Sequence, residues 1–559
     1  MFTLFLLLLI MASNAETIPK AEDGDTPITL QGIPTDTSSA YGSFCNDNTG
    51  RIQPKEFFKT QLDEVEGVEL NVVEGSVPEW LSGNLYRVGG GLFKLGNREV
   101  HNMVDGLSKV HSWNFTPGKA TTFTAKFLKS RIYNASIAKG EIAAMQHMGD
   151  MEPPLTFLEK VKVVADIIYN GNPDNNNIAV WELSKKGITV TNESPLYIEV
   201  DYDTLDYQQH FRVVPDELGM FDKEIISASH FSRHPTTGDS INYKFVVPLI
   251  PTHKPAYHMI RYSTNEEGKL IATTIGKVDI EGDDMRLIHS LGATENFAIL
   301  PRFSLVVSRV PNMFKICDAI KFNREKPTVM EVFSLKDGKH TSFKFPAGES
   351  QHIINSFERY NKNNELEVVI DYPTKGDVST YPEDKCIFEL LDIRNLMSED
   401  YIYQKEWQAI SDMVIRRYIM NMDTGVGRVY EFPQMWKPKI LQVEFPYIND
   451  NFRGLPYCYA YFHAWQYDVK NHMGLLKVDM CNEVSISWEE KNKFPVEPIY
   501  AARPGSTEED DGVIMSPVFD STTSTTELYI WNAKDLKVLA RLDSPIRVPF
   551  TLHGLWKDK

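Results

Sequence analysis

The sequence predicts a large all-β protein, and three observations support this. Runs rich in β-branched and aromatic residues with alternating polarity recur along the chain, at 120–127, 240–247, 365–372 and 527–533. Turn dipeptides occur between such runs, at Asp105-Gly106, Asn170-Gly171, Asp337-Gly338 and Asp511-Gly512. No Pro/Ser-rich linker divides the chain, so we expect one β-rich domain over residues 61–559.

The amino-terminal segment is predicted to be separate from this domain. Residues 2–12 are almost purely apolar and are followed by Ser13-Asn14-Ala15, a pattern suited to signal peptidase, although no basic residue precedes the run. The run is shorter than the roughly 20 residues that a bilayer span requires. We therefore predict a signal peptide over 1–15, a polar lead-in over 16–60, and a location in the secretory pathway or outside the cell.

Composition limits the classes of partner. The chain has 559 residues, 42% of them apolar and 24% charged, as in ordinary globular proteins. Its formal net charge of -18 argues against a nucleic-acid partner, because phosphate binding needs clustered Lys and Arg. Five cysteines, without a CxxC pair, allow at most two intrachain bridges in an oxidising compartment and leave their pairing open.

One helix is predicted over residues 155–169. Leu155, Leu158, Val161, Ala165 and Ile168 recur at intervals of three and four residues, which predicts an amphipathic helix. It is interpreted either as a cap on the β-domain or as a face resting on a membrane beside the mouth of an apolar tunnel. The second interpretation predicts peripheral membrane contact.

Four widely spaced histidines are the candidate metal ligands: His234, His289, His352 and His553. A histidine taken alone is more often a surface or core residue, but four imidazoles brought together by a fold suit iron, copper, zinc or nickel. The first three lie 55 and 63 residues apart by subtraction, comparable to a four-stranded propeller blade of roughly 40 to 50 residues with its loops. No clean sequence repeat accompanies this spacing.

The contexts of these histidines resemble the four iron-binding motifs of the carotenoid cleavage oxygenase family. They read His-Pro-Thr-Thr-Gly-Asp from His234, His-Ser-Leu-Gly-Ala-Thr-Glu-Asn from His289, His-Ile-Ile-Asn-Ser-Phe-Glu from His352, and Leu-His-Gly-Leu-Trp around His553. Segments 75–91, 101–106, 508–516 and 531–536 also resemble the family, most closely its animal branch.

The resemblance implies a seven-bladed β-propeller with ferrous iron on its axis and a cap of loops and short helices over the metal site. The four histidines would bind Fe2+, and three glutamates, Glu193, Glu444 and Glu497, would orient them. His230, His101 and His111 are interpreted as structural. The family's cysteine before the membrane-facing helix is absent from 148–154, which excludes acylation there.

The resemblance also implies a function: cleavage of a double bond of a carotenoid or apocarotenoid with O2 to give aldehyde or ketone products. One alternative is a retinoid isomerohydrolase on the same fold, which would use the metal as a Lewis acid and consume no oxygen. The other is a secreted carotenoid-binding protein without catalysis. The sequence leaves open central or eccentric cleavage, the preferred carotenoid and the oligomeric state.

Overall fold

The computed structural model describes residues 42–44, 49–170, 173–184, 186–219, 221–248, 254–281, 284–307, 314–376, 378–380, 386–398, 413–437, 441–466 and 471–559. The predicted signal peptide and Cys45 lie outside these residues. Within them the chain is mostly strand, as predicted.

The strands are β1 (Gly42–Ser43), β2 (Val65–Glu69), β3 (Val72–Gly75), β4 (Gly83–Leu92), β5 (Lys94–Leu95), β6 (Arg98–Val100), β7 (Leu107–Phe115), β8 (Thr122–Phe127), β9 (Met151–Glu152), β10 (Ala179–Trp181), β11 (Ile188–Thr191), β12 (Tyr197–Val200), β13 (Tyr207–Phe211), β14 (Asp222–Ser227), β15 (Ser232–Arg233), β16 (Ser240–Pro248), β17 (Ala256–Thr264), β18 (Leu270–Asp279), β19 (Gly292–Ala293), β20 (Phe297–Arg302), β21 (Leu305–Val307), β22 (Ile320–Phe322), β23 (Thr328–Ser334), β24 (His340–Phe345), β25 (Asn355–Tyr360), β26 (Leu366–Lys375), β27 (Met413–Asn421), β28 (Gly427–Glu431), β29 (Trp436–Lys437), β30 (Gln442–Tyr447), β31 (Tyr459–Gln466), β32 (His472–Asp479), β33 (Val484–Trp488), β34 (Lys493–Pro495), β35 (Ile499–Ala502), β36 (Gly512–Asp520), β37 (Thr525–Asn532), β38 (Val538–Asp543) and β39 (His553–Asp558).

Seven antiparallel sheets of four to six strands follow one another along the described part of the chain. Sheet 1 has the order β2-β8-β7-β4-β39, sheet 2 is β10 to β13, sheet 3 is β14 to β18, and sheet 4 is β19-β20-β23-β24. Sheet 5 is β25 to β28, sheet 6 is β30 to β33, and sheet 7 is β3-β38-β37-β36-β34 with β35 beside β36. Consecutive strands pair as antiparallel neighbours, which needs only short turns.

The seven sheets form a closed cycle of neighbours. Contacts join sheet 1 to sheet 2 through β4 and β10, and continue through sheets 3 to 7 to the contact of β35 with β39. The ends of the chain close the cycle: β39 pairs with β4 in sheet 1, and β3 pairs with β38 in sheet 7. Closure removes the exposed sheet edges that an open array of strands would present.

Helices are short and few in the described residues. The α-helices are α1 (Arg131–Lys139), α2 (Phe157–Asn170) and α3 (Ile393–Met397), and 3₁₀ turns span Lys55–Phe58, Met103–Asp105, Ile316–Ala319, Val378–Thr380, Ile387–Leu391 and Asp450–Phe452. Thr156 and Glu159 begin α2 with a capping box, because the Glu159 N–H donates to Thr156 Oγ1 (3.3 Å) and the Thr156 N–H donates to Glu159 Oε2 (3.0 Å).

The loops and short helices pack into one apolar cluster, the cap, which includes the 3₁₀ turns Ile316–Ala319 and Ile387–Leu391. A disulfide between Cys317 and Cys386 joins these two turns, with the Cα atoms 5.3 Å apart. A second disulfide joins Cys458 and Cys481. Both bridges that the cysteine count allowed are therefore formed.

The predicted helix exists, and two positions of its predicted apolar stripe are exposed rather than packed against the cap. Val163 is buried, whereas Leu158 is 70% exposed and Val161 is 46% exposed. Leu155, which is buried, precedes the helix. In the part of the chain that the structure describes, no helix has both the length and the apolar character that a membrane span needs.

Candidate metal centre

Four imidazoles meet at the middle of the cycle of sheets. His230, His289, His352 and His553, the histidine group, place one ring nitrogen each within 4.8 Å of one another. The Nε2 atom of His352 lies 3.1 Å from Nε2 of His289 and 3.0 Å from Nε2 of His553. The ring of His230 lies 4.2 Å from the ring of His553, centroid to centroid.

Three of these rings are held from behind by glutamates, at the positions predicted. Nδ1 of His289 lies 2.6 Å from Oε1 of Glu193. In the same way, Nδ1 of His352 lies 2.8 Å from Oε2 of Glu444, and Nδ1 of His553 lies 2.8 Å from Oε1 of Glu497. Each contact is short enough for the ring to donate its N–H to a carboxylate, which fixes the tautomer and the ring direction.

Each of the seven sheets contributes one of these seven side chains. In the order of the sheets they are His553, Glu193, His230, His289, His352, Glu444 and Glu497. Four of them begin a strand or precede one by two or three residues: His230 before β15, His289 before β19, His352 before β25, and His553 at the start of β39. A closed cycle of sheets therefore brings residues far apart in sequence to one point.

This arrangement fits a cation. With Nδ1 as the donor to glutamate, Nε2 of His289, His352 and His553 carries a lone pair. The lone pair of His352 lies 3.1 and 3.0 Å from those of the other two, measured between nitrogens, and such lone pairs repel one another unless a positive ion lies among them. Nε2 of His230 is buried and has no hydrogen-bond partner among the described residues. The nitrogen-only donor set suits a transition metal better than calcium or magnesium.

The prediction of His234 as a ligand was wrong, and so was the structural interpretation of His230. His234 begins the turn between β15 and β16, where its Nε2–H donates to the Glu295 carbonyl at 3.0 Å. Its Nδ1 accepts the N–H of Thr236 at 3.3 Å and of Thr237 at 3.2 Å. Because β15 runs between the two histidines, they lie at opposite ends of that strand and only one can reach the centre.

Burial sets the protonation of the site. It lowers the pKa of His230, His352 and His553 well below the usual range, so these rings are neutral, as ligands must be. Burial raises the pKa of Glu444 to about 7 and that of Glu497 to about 8. Burial is the largest influence on Glu193 and opposes its ionisation, but His289, the Glu193 backbone and the Ser229 hydroxyl together outweigh it and lower the pKa.

Two further residues support the centre and were not predicted. Arg87 is fully buried, and its Nη1 donates to the Glu497 carbonyl at 2.9 Å and faces Oε2 of the same residue at 3.4 Å. Phe445 has a positive φ of 52° and places its ring 5.2 Å from that of His352 and 4.9 Å from that of His553. Such backbone strain in a non-glycine residue is typical of functional sites.

A cavity of about 540 Å³ opens beside the histidine group and extends beneath the cap. Its lining includes three of the histidines, and its walls are mainly Ile, Leu, Val, Met and aromatic side chains from the cap and the inner strands. This size is within the range of small-molecule sites in proteins. Its mainly apolar walls suit an apolar molecule lying against the histidine group.

Comparison with known proteins agrees with the fold and the site. The model of the retinal pigment epithelial membrane protein family matches residues 58–558. A carotenoid cleavage dioxygenase 8 homolog of Oryza sativa is 25% identical over 87% of this chain and 81% of its own. The beta,beta-carotene 15,15'-dioxygenase of Rattus norvegicus is 23% identical over 89% of this chain and 91% of its own.

A solved structure shows the same architecture. Cobalt-substituted Synechocystis apocarotenoid oxygenase superposes with a TM-score of 0.71 at 20% identity, covering 90% of this chain and 99% of its own. That enzyme is a β-propeller, so the seven-sheet cycle is the predicted propeller. The fold, the histidine group and the match to the family model over nearly the whole described chain together show that this protein belongs to the retinal pigment epithelial membrane protein family, which includes the carotenoid cleavage oxygenases.

Proposed function

We propose that this protein is an iron(II)-dependent oxygenase that cleaves one double bond of a carotenoid or apocarotenoid with O2. The observation that carries the proposal is the histidine group, backed by three glutamates and opening onto an apolar cavity. Named relatives such as the beta,beta-carotene 15,15'-dioxygenase support the class of reaction. The reaction adds both atoms of O2 across the broken C=C bond and gives two carbonyl products.

Seven side chains would hold the metal and orient its ligands. His230, His289, His352 and His553 would bind ferrous iron through neutral nitrogens, leaving its full charge in place. Glu193, Glu444 and Glu497 keep three of the rings in the ligating tautomer. Bound ferrous iron would supply the redox chemistry that O2 needs to react with an alkene.

The cavity walls place the polyene by burial of apolar surface, with little need for directional bonds. Phe445 lines the cavity next to His352 and His553, where its ring can lie against the polyene. Because a rigid polyene slides in fixed steps, the length of the cavity on each side of the histidine group would determine which bond is cleaved.

Product analysis tests this proposal. The protein, purified and loaded with Fe2+, is incubated with a panel of carotenoids and apocarotenoids, and products are identified by mass. We expect pairs of aldehydes or ketones whose masses sum to that of the substrate plus O2, with label from ¹⁸O2 in both. Complete absence of cleavage by iron-loaded protein across the panel would contradict an oxygenase and favour a binding protein.

Oxygen consumption distinguishes the oxygenase from the alternative of a retinoid isomerohydrolase. An isomerohydrolase would convert a retinyl ester to an isomerised retinol without oxygen uptake. Measurement with an oxygen electrode during incubation with retinyl esters and with carotenoids therefore distinguishes the two enzymes on the same fold. We expect oxygen uptake with carotenoids and none with the esters.

We also propose peripheral membrane contact through α2. Phe157, Leu158 and Val161 expose apolar surface on one side of the helix, while Ile167 of the same helix lines the cavity. An apolar face beside the cavity supports uptake of a lipid-soluble substrate directly from a bilayer.

A location in the secretory pathway is proposed as well. Two disulfides support it, because such bonds persist in oxidising compartments and are rare in the cytosol. Expression of the full chain in animal cells tests it: we expect the protein in the medium or the lumen, shortened by about 15 residues in keeping with ordinary leader lengths. Full-length protein with reduced cysteines in the cytosol would contradict it.

A further inference from the structure

A fifth histidine lies in the cavity wall and takes no part in the histidine group. His463 is on β31, is 1% exposed and lines the cavity. The ring of Phe445 lies 5.9 Å from that of His463, on the side facing the histidine group. Trp465 and Phe550 are its other aromatic neighbours, at 5.8 and 6.1 Å. His463 is thus a polar side chain among aromatic rings.

One nitrogen of this ring lacks a partner. The hydrogen bond of the ring goes to the backbone of Pro495, which must be a carbonyl since proline has no N–H. Nδ1 is then the donor. Nε2 is buried and has no hydrogen-bond partner among the described residues. Burial lowers the pKa of His463 to about 3, so the ring is neutral and Nε2 is an acceptor.

A second buried acceptor lies on the neighbouring strand. Oε1 of Gln442 is buried and also has no partner within the described part of the chain, and Gln442 lines the same cavity. In the register of β30 and β31, Glu444 lies opposite His463 and Gln442 lies opposite Trp465. Residues at these positions share one face of the sheet, and both side chains line the cavity.

The chemistry of the two acceptors indicates what the ligand carries. A buried acceptor without a donor is costly, and a leucine would serve a pure hydrocarbon better. A hydroxyl group supplies the missing donor, whereas an aldehyde or ketone cannot. We propose that Nε2 of His463 accepts a hydrogen bond from a hydroxyl group of the substrate, so that the cavity selects a hydroxylated polyene over the corresponding hydrocarbon. This inference rests on the function proposed above, because it narrows that substrate class.

Binding to metal-free protein tests the inference apart from turnover. Quenching of tryptophan fluorescence reports occupancy, because Trp465 lines the cavity. Zeaxanthin and β-carotene form a matched pair that differs only in ring hydroxyls. We expect zeaxanthin to bind about tenfold more tightly, the effect of one satisfied buried hydrogen bond. The hydroxyl group can also be at the end of the polyene rather than on a ring. Comparison of a polyene alcohol with the corresponding aldehyde tests this second position.

Variants locate the effect at His463. For the ligand pair that the wild type distinguishes, His463→Leu should bring the two affinities within about twofold of each other, because the acceptor is gone. His463→Gln keeps an acceptor and should keep the preference. Gln466→Leu, on the same strand but outside the cavity lining, is the matched control and should retain the full preference.

The outcomes separate this inference from the proposed function. Equal affinities within both pairs in the wild type, or an unchanged preference in His463→Leu, would overturn the role of His463 while leaving cleavage untouched. A clear hydroxyl preference without cleavage of any polyene would overturn the oxygenase and leave His463 as a recognition residue.

Discussion

The four imidazoles of the centre differ in what contacts each ring on the side away from the other histidines. Three rings face glutamates, whereas the ring of His230 has no glutamate beside it among the described residues and is held among the other three rings at 4.2 to 5.1 Å. Its neighbour Ser229 donates to Glu193 Oε1 at 3.1 Å, which ties the His230 segment to the carboxylate behind His289. At the residue scale, the site is therefore one connected network.

His230 and His234 offer a direct test of the ligand assignment. His230→Ala should lower Fe2+ affinity at least 100-fold, because one of four ligands is lost, and metal content by mass spectrometry measures it. His234→Ala is the matched control, four residues away and outside the group, and should retain full metal content. The reverse result would restore His234 as the ligand.

Asp105 predicts a pH dependence of stability. It is 4% exposed beside the cavity, and burial raises its pKa from 3.8 to about 7, although the N–H groups of Met148 and Gly149 donate to it. An acid whose pKa rises on folding holds its proton more tightly in the folded state. The stabilisation is therefore present at low pH and is lost as the pH rises from about 4 to about 7.

Removal of this carboxyl should remove that dependence. Between about pH 5 and pH 8, ionisation of Asp105 should lower the free energy of unfolding of metal-free protein by about 3 kcal/mol. Asp105→Asn should lose this part of the pH slope, as measured by urea unfolding at the two pH values. Identical slopes in the variant and the wild type would show that Asp105 does not titrate in this range.

At the scale of elements, α2 combines two surfaces with different partners. Val163 packs into the cap, and Ile167 lines the cavity. Phe157 and Leu158, in the first turn, are 79% and 70% exposed. The helix thus links an apolar outer surface to the wall of the cavity.

Exposed apolar side chains of α2 should determine vesicle binding. Phe157→Ser and Leu158→Ser should each weaken binding to phosphatidylcholine vesicles about tenfold, since each removes an apolar side chain from the bilayer interface. Tyr360→Ser, at a 68% exposed aromatic that ends β25, is the control and should bind as the wild type does. Co-sedimentation with vesicles measures all three, and equal binding would contradict membrane contact through α2.

At the scale of the whole molecule, one strand, β39, both closes the cycle of sheets and contributes a histidine to the metal centre. β39 completes sheet 1 beside β4 and begins with His553. Gly554 follows, and its N–H donates to Glu497 Oε2 of sheet 7 at 2.7 Å. A Cβ atom at Gly554 would lie only 2.6 Å from the carbonyl oxygen of Tyr86 in β4.

Gly554→Ala should therefore damage stability and metal binding together. Displacement of β39 should cost about 1 to 3 kcal/mol of unfolding free energy and carry His553 away from the other rings. Gly118→Ala is the control: its φ of 72° strains an alanine, but no atom lies within 4 Å of the added Cβ. It should lose about 1 kcal/mol and no metal, as thermal unfolding and metal content would show. Full metal content in Gly554→Ala would show that the metal centre does not depend on closure of the cycle by β39.

Much of this molecule could be predicted from local sequence. Alternation of apolar residues and the turn dipeptides predicted strands, because the two-residue period of a strand is a local property. Motif contexts predicted His289, His352 and His553 as ligands with their glutamates. They misplaced the fourth because the proline after His234 resembles the family motif. The two-residue strand β15, which separates the two histidines, was not predicted from the sequence.

By itself, the sequence determined the residue types of the site: imidazoles, glutamates to orient them and enough apolar residues to line a cavity. Only the tertiary structure decided that His230 rather than His234 completes the group, that the cysteines pair as Cys317–Cys386 and Cys458–Cys481, and that His463 faces the cavity. The physical reason is that these relations, apart from the Cys458–Cys481 bridge beside the β31–β32 pair, join residues from different sheets or from the cap. Their distances depend on how seven sheets close around one axis, and no local period of the chain records that closure.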